Sequence, residues 1–170
     1  NGVSGLNHGI YWAGEGPSWV IGNTFYGNSG WAFHNHQGAY DGWQGWKHNV
    51  HHNLFIGPGG AIVTTGSRGR FLNNTIIRAS NAAFWFYNDG HRDNSIANNI
   101  IVESSNGIHT RDGNVFSHNL THSSEKTFMG DDPVKGDPQF IAPEKKNFRL
   151  KPNSPAKNAG VPLGFSNEKH

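Results

Sequence analysis

A short phrase built around one asparagine returns along the chain and restricts the folds that this sequence can adopt. Gly22-Asn23-Thr24-Phe25 is followed by four similar phrases, and Asn1-Gly2-Val3 resembles a shortened first copy. The asparagines of this column are Asn1, Asn23, Asn53, Asn74, Asn99 and Asn119, with spacings of 22, 30, 21, 25 and 20 residues. A period in the low twenties with irregular insertions is typical of a solenoid in which one repeat forms one coil.

Three apolar columns keep register with the asparagine column. Three residues before the asparagine stand Val20, Val50, Phe71, Ile96 and Phe116. Two residues after it stand Val3, Phe25, Phe55, Ile76, Ile101 and then Thr121. Nine residues after it stand Ile10, Ala32, Ile62, Ala83, Ile108 and Phe128. Each column predicts one short strand per coil with one side chain pointing inward, so stacked coils would form three parallel sheets.

The asparagine column lies between two inward-pointing positions, where the chain has to turn. Asparagine suits such a turn because it tolerates left-handed backbone angles. Its side-chain amide can also bond to the asparagine of the coil above. We therefore expect a ladder of stacked, buried amides that includes Asn74 and Asn99.

At this point the chain resembles a known family. The phrase Asn98-Asn99-Ile100-Ile101 followed by Asn106-Gly107-Ile108 resembles the right-handed parallel β-helix of the pectate-lyase-like group. The run from Gly136-Asp137-Pro138-Gln139-Phe140 to Ala156 is similar to the tail of many secreted bacterial members. The resemblance covers Asn1 to about Gly160. It implies an all-β right-handed parallel β-helix of about six coils and three parallel sheets over residues 1–130, a C-terminal cap or tail over residues 131–170, and a secreted or cell-surface location.

Both ends of the predicted solenoid carry an expectation. Asn1 already occupies the ladder column, so we expect further coils before it. The rest of the polypeptide, or another chain, would then cover that end, because an uncovered end exposes strand edges. At the other end, Phe140, Phe148 and Leu150 are expected to lie across the open coil.

Composition excludes some partners. The net charge of +2 is too small and too dispersed to indicate nucleic-acid binding. No stretch approaches the roughly 20 apolar residues of a membrane-spanning helix. The chain has no cysteine, so its sequence does not indicate a redox compartment.

The predicted functional site lies where the coils differ in length. That variation falls after the third strand of each coil, and insertions on one face of a repeat protein mark its binding face. The longest insertion, within His34 to His48, is rich in aromatic and polar residues that can contact sugar rings and hydroxyls. The predicted catalytic residues are Lys47, His36, Arg68 and His91. The predicted substrate-binding residues are Trp43, Trp46, Tyr40, Asp41, Tyr87, Arg92 and Glu15.

Metal binding stays open in the sequence, and no metal ligand is assigned. His34 and His36 alternate by one residue and could bind zinc, but no third ligand is in register. Calcium could bind Asp89, Asp93 or Asp131-Asp132, since hard cations prefer oxygen ligands. Solvated carboxylates in turns are the alternative interpretation.

Three functions from different classes fit this pattern. A polysaccharide lyase acting on a uronate-containing glycan needs a cation beside the carboxylate and a base for the neighbouring proton. A glycoside hydrolase needs two carboxylates about 5 to 10 Å apart, for which Asp41 with Asp89 or Glu15 with Asp41 are candidates. The third function is a non-catalytic glycan-binding or structural solenoid. The basic character of the loop edge favours the lyase.

Overall fold

Three short strands per coil stack on their counterparts in the next coil and form three parallel sheets. The computed structural model describes residues 7–13, 16–35, 48–64, 66–86, 92–109 and 113–125, then 130–162, with the side chain of His109 excepted. Each sheet has five strands among these residues, which is roughly consistent with the six coils predicted. The prediction of an all-β parallel solenoid with three sheets is therefore confirmed.

The three sheets follow one another in every coil, and we number them from the first described strand. Sheet 1 contains Ile10–Trp12, Trp31–Asn35, Gly60–Thr64, Phe84–Phe86 and Ile108–His109. Sheet 2 contains Ser18–Ile21, His48–His51, Arg70–Leu72, Ser95–Ala97 and Val115–Ser117. Sheet 3 contains Thr24–Tyr26, Leu54–Ile56, Thr75–Ile77, Ile100–Val102 and Leu120–His122.

The core is one apolar column per sheet, packed inside the triangle of sheets. The column of sheet 3 is in direct register and buried, and its members are Phe25, Phe55, Ile76 and Ile101. The column of sheet 2 is also in direct register and buried, and its members are Val20, Val50, Phe71, Ile96 and Phe116. A single continuous cluster joins these columns to the inward residues of sheet 1.

The predicted column of sheet 1 is wrong in two coils. The register pairs Ile10 with Phe33, Phe33 with Ile62, and Ile62 with Phe84. Phe33 and Phe84 lie ten residues after their ladder asparagines, whereas Ile62 lies nine after Asn53. Coils two and four therefore have one extra residue in the corner between sheets 3 and 1, so length varies there as well. Ala32 and Ala83, which were predicted for the column, are also buried but are neighbours of the residues in register.

The asparagine ladder is present from Asn23 to Asn119. Nδ2 of each asparagine donates to Oδ1 of the next, at 3.3 Å for the first pair and 3.0 Å for the other three. The backbone N–H of each also donates to that same Oδ1, at 2.9–3.1 Å. From Asn53 onward, Nδ2 makes a second bond to a carbonyl of the preceding coil, and these asparagines are buried.

The left-handed backbone angles fall one residue before the ladder asparagine, rather than on it. The residues concerned are Gly22, His52, Asn73, Asn98 and His118, with φ between 51° and 68°. The left-handed residue makes the bend itself. The asparagine that follows can then turn its amide inward and along the solenoid axis, where the next coil supplies its partner.

The C-terminal tail lies against the outer face of sheet 3, so its predicted position across the open end is wrong. An antiparallel hairpin, Phe140–Ala142 and Asn147–Leu150, is joined by the 3-10 turn Pro143–Lys145. Phe140, with Phe148 and Leu150, packs on Ile77 and Val102. The side chains of Ile77 and Val102 point outward from sheet 3, because their neighbours Ile76 and Ile101 point into the core. Sheet 3 carries apolar residues on both faces in this part of the chain. Packing of the hairpin on the outer face removes that apolar surface from water.

A short segment before the hairpin continues the stack. Asp131 pairs with Ser117, and Val134 pairs with Leu120, both in parallel bridges. The chain thus adds part of a coil before it turns back along sheet 3. Among the described residues, no helix is long and apolar enough to cross a membrane.

Candidate functional site

Of the eleven predicted site residues, the described part of the chain includes Arg68 and Arg92. The other nine lie outside the described residues: Glu15, His36, Tyr40, Asp41, Trp43, Trp46, Lys47, Tyr87 and His91. The distances from Arg68 to Lys47 and His36, on which the predicted catalytic pair depends, therefore stay predictions.

Arg68 and Arg92 are brought together by the stacking of two loops that connect sheet 1 to sheet 2. The backbone N–H of Arg68 donates to the carbonyl of Arg92 at 2.9 Å, and the N–H of Arg92 donates to Oγ of Ser67 at 3.0 Å. Both arginines are exposed. Within the described ranges, neither guanidinium forms an ion pair. Two cationic side chains on successive coils, spaced by about 4.8 Å along the axis, can face an anionic chain molecule together.

A second, shorter asparagine ladder holds these loops in place from the inside. Nδ2 of Asn94 donates to Oδ1 of Asn114 at 2.8 Å and to the carbonyl of Gly66 at 3.0 Å. Oδ1 of Asn94 accepts from the N–H of Gly69 at 2.7 Å. A Cβ on Gly69 would lie 2.8 Å from the ring of Phe71. Gly69 therefore serves close packing inside the corner.

Beside these loops, the outer face of sheet 1 carries a group of aromatic rings that we call the aromatic face: His8, Tyr11, Trp31, His34 and Trp85. The rings of His8 and Tyr11 stack with centroids 5.5 Å apart, and the His34 ring meets both edge-on at 4.5 and 4.9 Å. Trp31 meets Trp85 edge-on at 6.2 Å, although their strands are two coils apart. Gly60 permits this contact, because a Cβ there would lie 2.2 Å from the Trp31 indole. Tyr11 is 51% exposed.

Hydrogen bonds fix the protonation pattern of the two imidazoles on this face. The backbone N–H of Trp31 can only donate, so Nδ1 of His8, 2.9 Å away, must accept. The proton of a neutral His8 is then on Nε2, which donates to Nδ1 of His34 at 3.2 Å. The proton of His34 is consequently on its Nε2. The two imidazoles of the aromatic face are therefore held in place by hydrogen bonds to each other and to the backbone.

Most of the aromatic face was not predicted from the sequence. Three of its members follow the inward column of sheet 1 by one residue, namely Tyr11, His34 and Trp85. Because that inward column was misplaced in coils two and four, the outward column was not recognised. An assignment that allowed a corner of variable length would have aligned Tyr11, His34, Val63 and Trp85 on one face.

A buried polar pair lies inside the corner under this region. Oγ of Ser18 and Nδ1 of His48 are 2.8 Å apart and both residues are buried. Among the described residues, Nε2 of His48 has no hydrogen-bond partner. Burial lowers the pKa of His48 to about 4, because the charged imidazolium would lose its hydration there. His48 stands two residues before Val50, in the position that Asn94 occupies relative to Ile96.

Metal ligation is not assigned to any group in the described chain. Those ranges contain no group of three or more His, Asp or Glu side chains that could hold a metal ion. Asp93, Asp131 and Asp132 are exposed, whereas His36 and Asp89 lie outside the described residues.

The comparisons agree with the architecture. A family model described as the right-handed β-helix region matches residues 1–132. The chain therefore belongs to the right-handed β-helix family, and its solenoid is right-handed. A search of curated proteins and a search of solved structures each found no match. The narrower assignment to the pectate-lyase-like group stays a resemblance.

Proposed function

We propose that this right-handed β-helix protein binds an acidic polysaccharide along the aromatic face and the adjoining arginine loops, and cleaves it by β-elimination. The observation that carries the proposal is the position of Arg68 and Arg92. Each follows a strand of sheet 1, and both are exposed without an ion pair among the described residues. A polymer lying along sheet 1 would thus meet rings and cations on the same side of the solenoid.

The arginines suit the chemistry of a uronate. A guanidinium beside the carboxylate stabilises the negative charge that develops when the neighbouring C–H is deprotonated. A base removes that proton, the glycosidic oxygen on the next carbon leaves with the bond electrons, and a carbon–carbon double bond forms. Lys47, His36 and His91 are the candidate bases, and the departing oxygen takes up a proton.

The aromatic face also supports a second candidate, a non-catalytic glycan-binding solenoid. Rings that stack or meet edge-on offer apolar surface to sugar rings. Binding needs no base, so this face suffices for it. The hydrolase alternative depends on Glu15, Asp41 and Asp89, which lie outside the described residues.

The decisive experiment measures binding and turnover on the same samples. Purified protein is given uronate polymers and neutral glycans, affinity is measured calorimetrically, and the unsaturated product is followed by its ultraviolet absorbance. A lyase gives new absorbance with uronate polymers. Binding without product leaves the non-catalytic function, and an absence of binding to any of the polymers overturns both.

Variants locate the site. Lys47→Ala and Arg68→Ala should each lower turnover by orders of magnitude with nearly unchanged melting temperature. Arg78→Ala is the matched control, because Arg78 is exposed on a different corner, where it pairs with Glu103. If the Arg68 and Arg78 variants behave alike, the site is not on the loop edge.

A further inference from the structure

A groove separates the C-terminal tail from the corner between sheets 2 and 3, which lies opposite sheet 1. It has two adjacent parts, with volumes of about 440 and 600 Å³, and Asn73 and Thr75 line both. We call it the tail groove. It extends from His118 at one end to His52 and Arg149 at the other. The distance between the ends is three coil spacings of about 4.8 Å each.

One wall of the tail groove repeats with the coils. It is formed by the left-handed residues of the corner, namely His52, Asn73, Asn98 and His118. Their side chains are amides and imidazoles, which can both donate and accept hydrogen bonds. Nδ1 of His118 is buried and has no partner among the described residues, while its Nε2 lies 4.0 Å from Asp132. A wall with one polar group per coil suits a ligand that itself repeats.

The other wall is the tail, and it is held at a fixed distance. Two hydrogen bonds join Asn98 to Val161. Nδ2 of Asn98 donates to the carbonyl of Val161 at 3.0 Å, and the backbone N–H of Val161 donates to Oδ1 of Asn98 at 3.1 Å. Gly160 allows this approach, since a Cβ there would lie 2.8 Å from Asn98. Farther along, Lys146 places its Nζ 3.9 Å from the centre of the Tyr26 ring. The groove is therefore largely preformed, which reduces the entropy cost of binding.

The wider part of the tail groove carries two cationic residues. Lys146 and Arg149 lie along its wider part, and both are exposed. None of its described lining residues is Asp or Glu. Phe148 contributes a half-buried ring to the same part. Cations, amides and a ring along an open groove are the groups that recognise a carboxylated, hydroxylated chain.

We propose that the tail groove is a second binding site, for a linear anionic oligosaccharide. The class of polymer rests on the proposed function, but no residue of the groove belongs to the aromatic face or to the arginine loops. The site holds the polymer without cleaving it. It would keep the protein on a long substrate while the opposite side of the solenoid acts on another segment, a gain in effective concentration.

The test maps binding residue by residue. Isotope-labelled protein is titrated with a uronate hexamer and, separately, with a neutral hexamer, and backbone amide shifts are recorded. The expected result is a saturable set of shifts at Asn73, Thr75 and Arg149 with the uronate hexamer only. Shifts confined to sheet 1 and the arginine loops overturn the second site and leave the proposed function standing. Shifts confined to the tail groove keep the second site and overturn the proposed function. No shifts overturn both.

A charge reversal then tests the groove itself. Arg149→Glu should weaken binding at the groove about ten- to hundredfold, since a charge-assisted hydrogen bond contributes about 1.5–3 kcal/mol. The matched control is Lys151→Glu, an equal change at an exposed residue that does not line the groove. Shifts on sheet 1 should be the same in both variants. Equal groove affinities in the two variants, with melting temperatures unchanged, would overturn the assignment.

Discussion

At the scale of single residues, each buried ladder asparagine is held by several directed hydrogen bonds. Asn99 accepts from the N–H and the Nδ2 of Asn74, and it donates to Oδ1 of Asn119 and to the carbonyl of Phe71. All four bonds are 2.8–3.0 Å long, and the side chain is fully buried. An amide whose oxygen and nitrogen are both hydrogen-bonded restricts the groups that can lie beside it, because each must supply a matching donor or acceptor.

Asn99→Leu should therefore destabilise the protein, although leucine is more apolar and similar in size. The change removes the acceptor of the backbone N–H and of Nδ2 of Asn74, and it removes one donor to the carbonyl of Phe71. A buried polar group that is left unpaired costs about 1–3 kcal/mol. Chemical denaturation measures the loss. Asn81→Leu is the control, because Asn81 is exposed on another corner. A variant as stable as the wild type would show that the ladder contributes no net stability.

His48 gives a residue-scale prediction about pH. Its pKa is about 4 in the folded chain, whereas the ordinary value for an exposed imidazole is 6.5. Between these values the unfolded chain binds a proton that the folded chain excludes, so stability is complete above pH 6.5 and falls as the pH drops to 4. The shift corresponds to about 3 kcal/mol.

His48→Asn should remove that pH dependence. Asparagine keeps a polar side chain at this position but does not titrate. Free energies of unfolding at about pH 7 and about pH 4.5 are compared with those of His122→Asn, at a half-buried position outside the corner. If wild type and His48→Asn lose equal stability on acidification, the buried imidazole is not the cause.

At the scale of elements, the tail hairpin acts as a cover for sheet 3. The outer side of sheet 3 carries Ile77, Ile100 and Val102. The hairpin packs Phe140, Phe148 and Leu150 against them. The rings of Phe140 and Phe148 meet edge-on at 5.3 Å. The hairpin alone has two strands and would be marginal in water, so its order depends on this contact.

Phe140→Ala should detach the hairpin before it unfolds the coils. Loss of a buried phenylalanine costs about 3–5 kcal/mol, which is comparable to what can hold so small an element in place. Hydrogen exchange should accelerate at Asn147–Leu150 and stay slow at Ile101. Ile141→Ala is the control, because Ile141 on the same strand is 44% exposed. Uniform acceleration over coils and hairpin would mean that the two unfold together.

At the scale of the whole molecule, one apolar cluster runs through all the described coils. It includes Val20 in the first coil and Phe116 in the last strand of sheet 2. Strand pairing in each sheet joins a coil to its nearest neighbours, so stability is transmitted mainly through nearest-neighbour interfaces. A defect in the middle of the stack weakens both interfaces of its coil.

Ile101→Ala should accordingly lower the stability of the whole solenoid by about 2–5 kcal/mol. Ile101 is fully buried between Ile76 and Thr121 in sheet 3. Calorimetry and circular dichroism should report the same lowered transition. Val115→Ala, at a residue that is 59% exposed, should change it little. Two separated transitions in the Ile101 variant would contradict a cooperative stack.

The sequence by itself determined the coil. The asparagine column, with apolar residues three before and two after it, placed Val50, Asn53 and Phe55 correctly, because a stacked repeat leaves each position the same neighbours above and below. The same regularity made the ladder predictable from Asn74 and Asn99 without any knowledge of their geometry.

The tertiary structure decided the features that the sequence repeat does not encode, namely the register of sheet 1 and the position of the tail. The corner between sheets 3 and 1 has a variable length, so the register that puts Phe84 inside and Trp85 outside was set by packing, and with it the aromatic face. The tail was not a repeat at all. Its position on sheet 3 depends on the outward residues Ile77 and Val102, and on the bond of Asn98 to Val161, 63 residues away. Such contacts join segments that no local pattern relates, so physical fit in three dimensions had to select them.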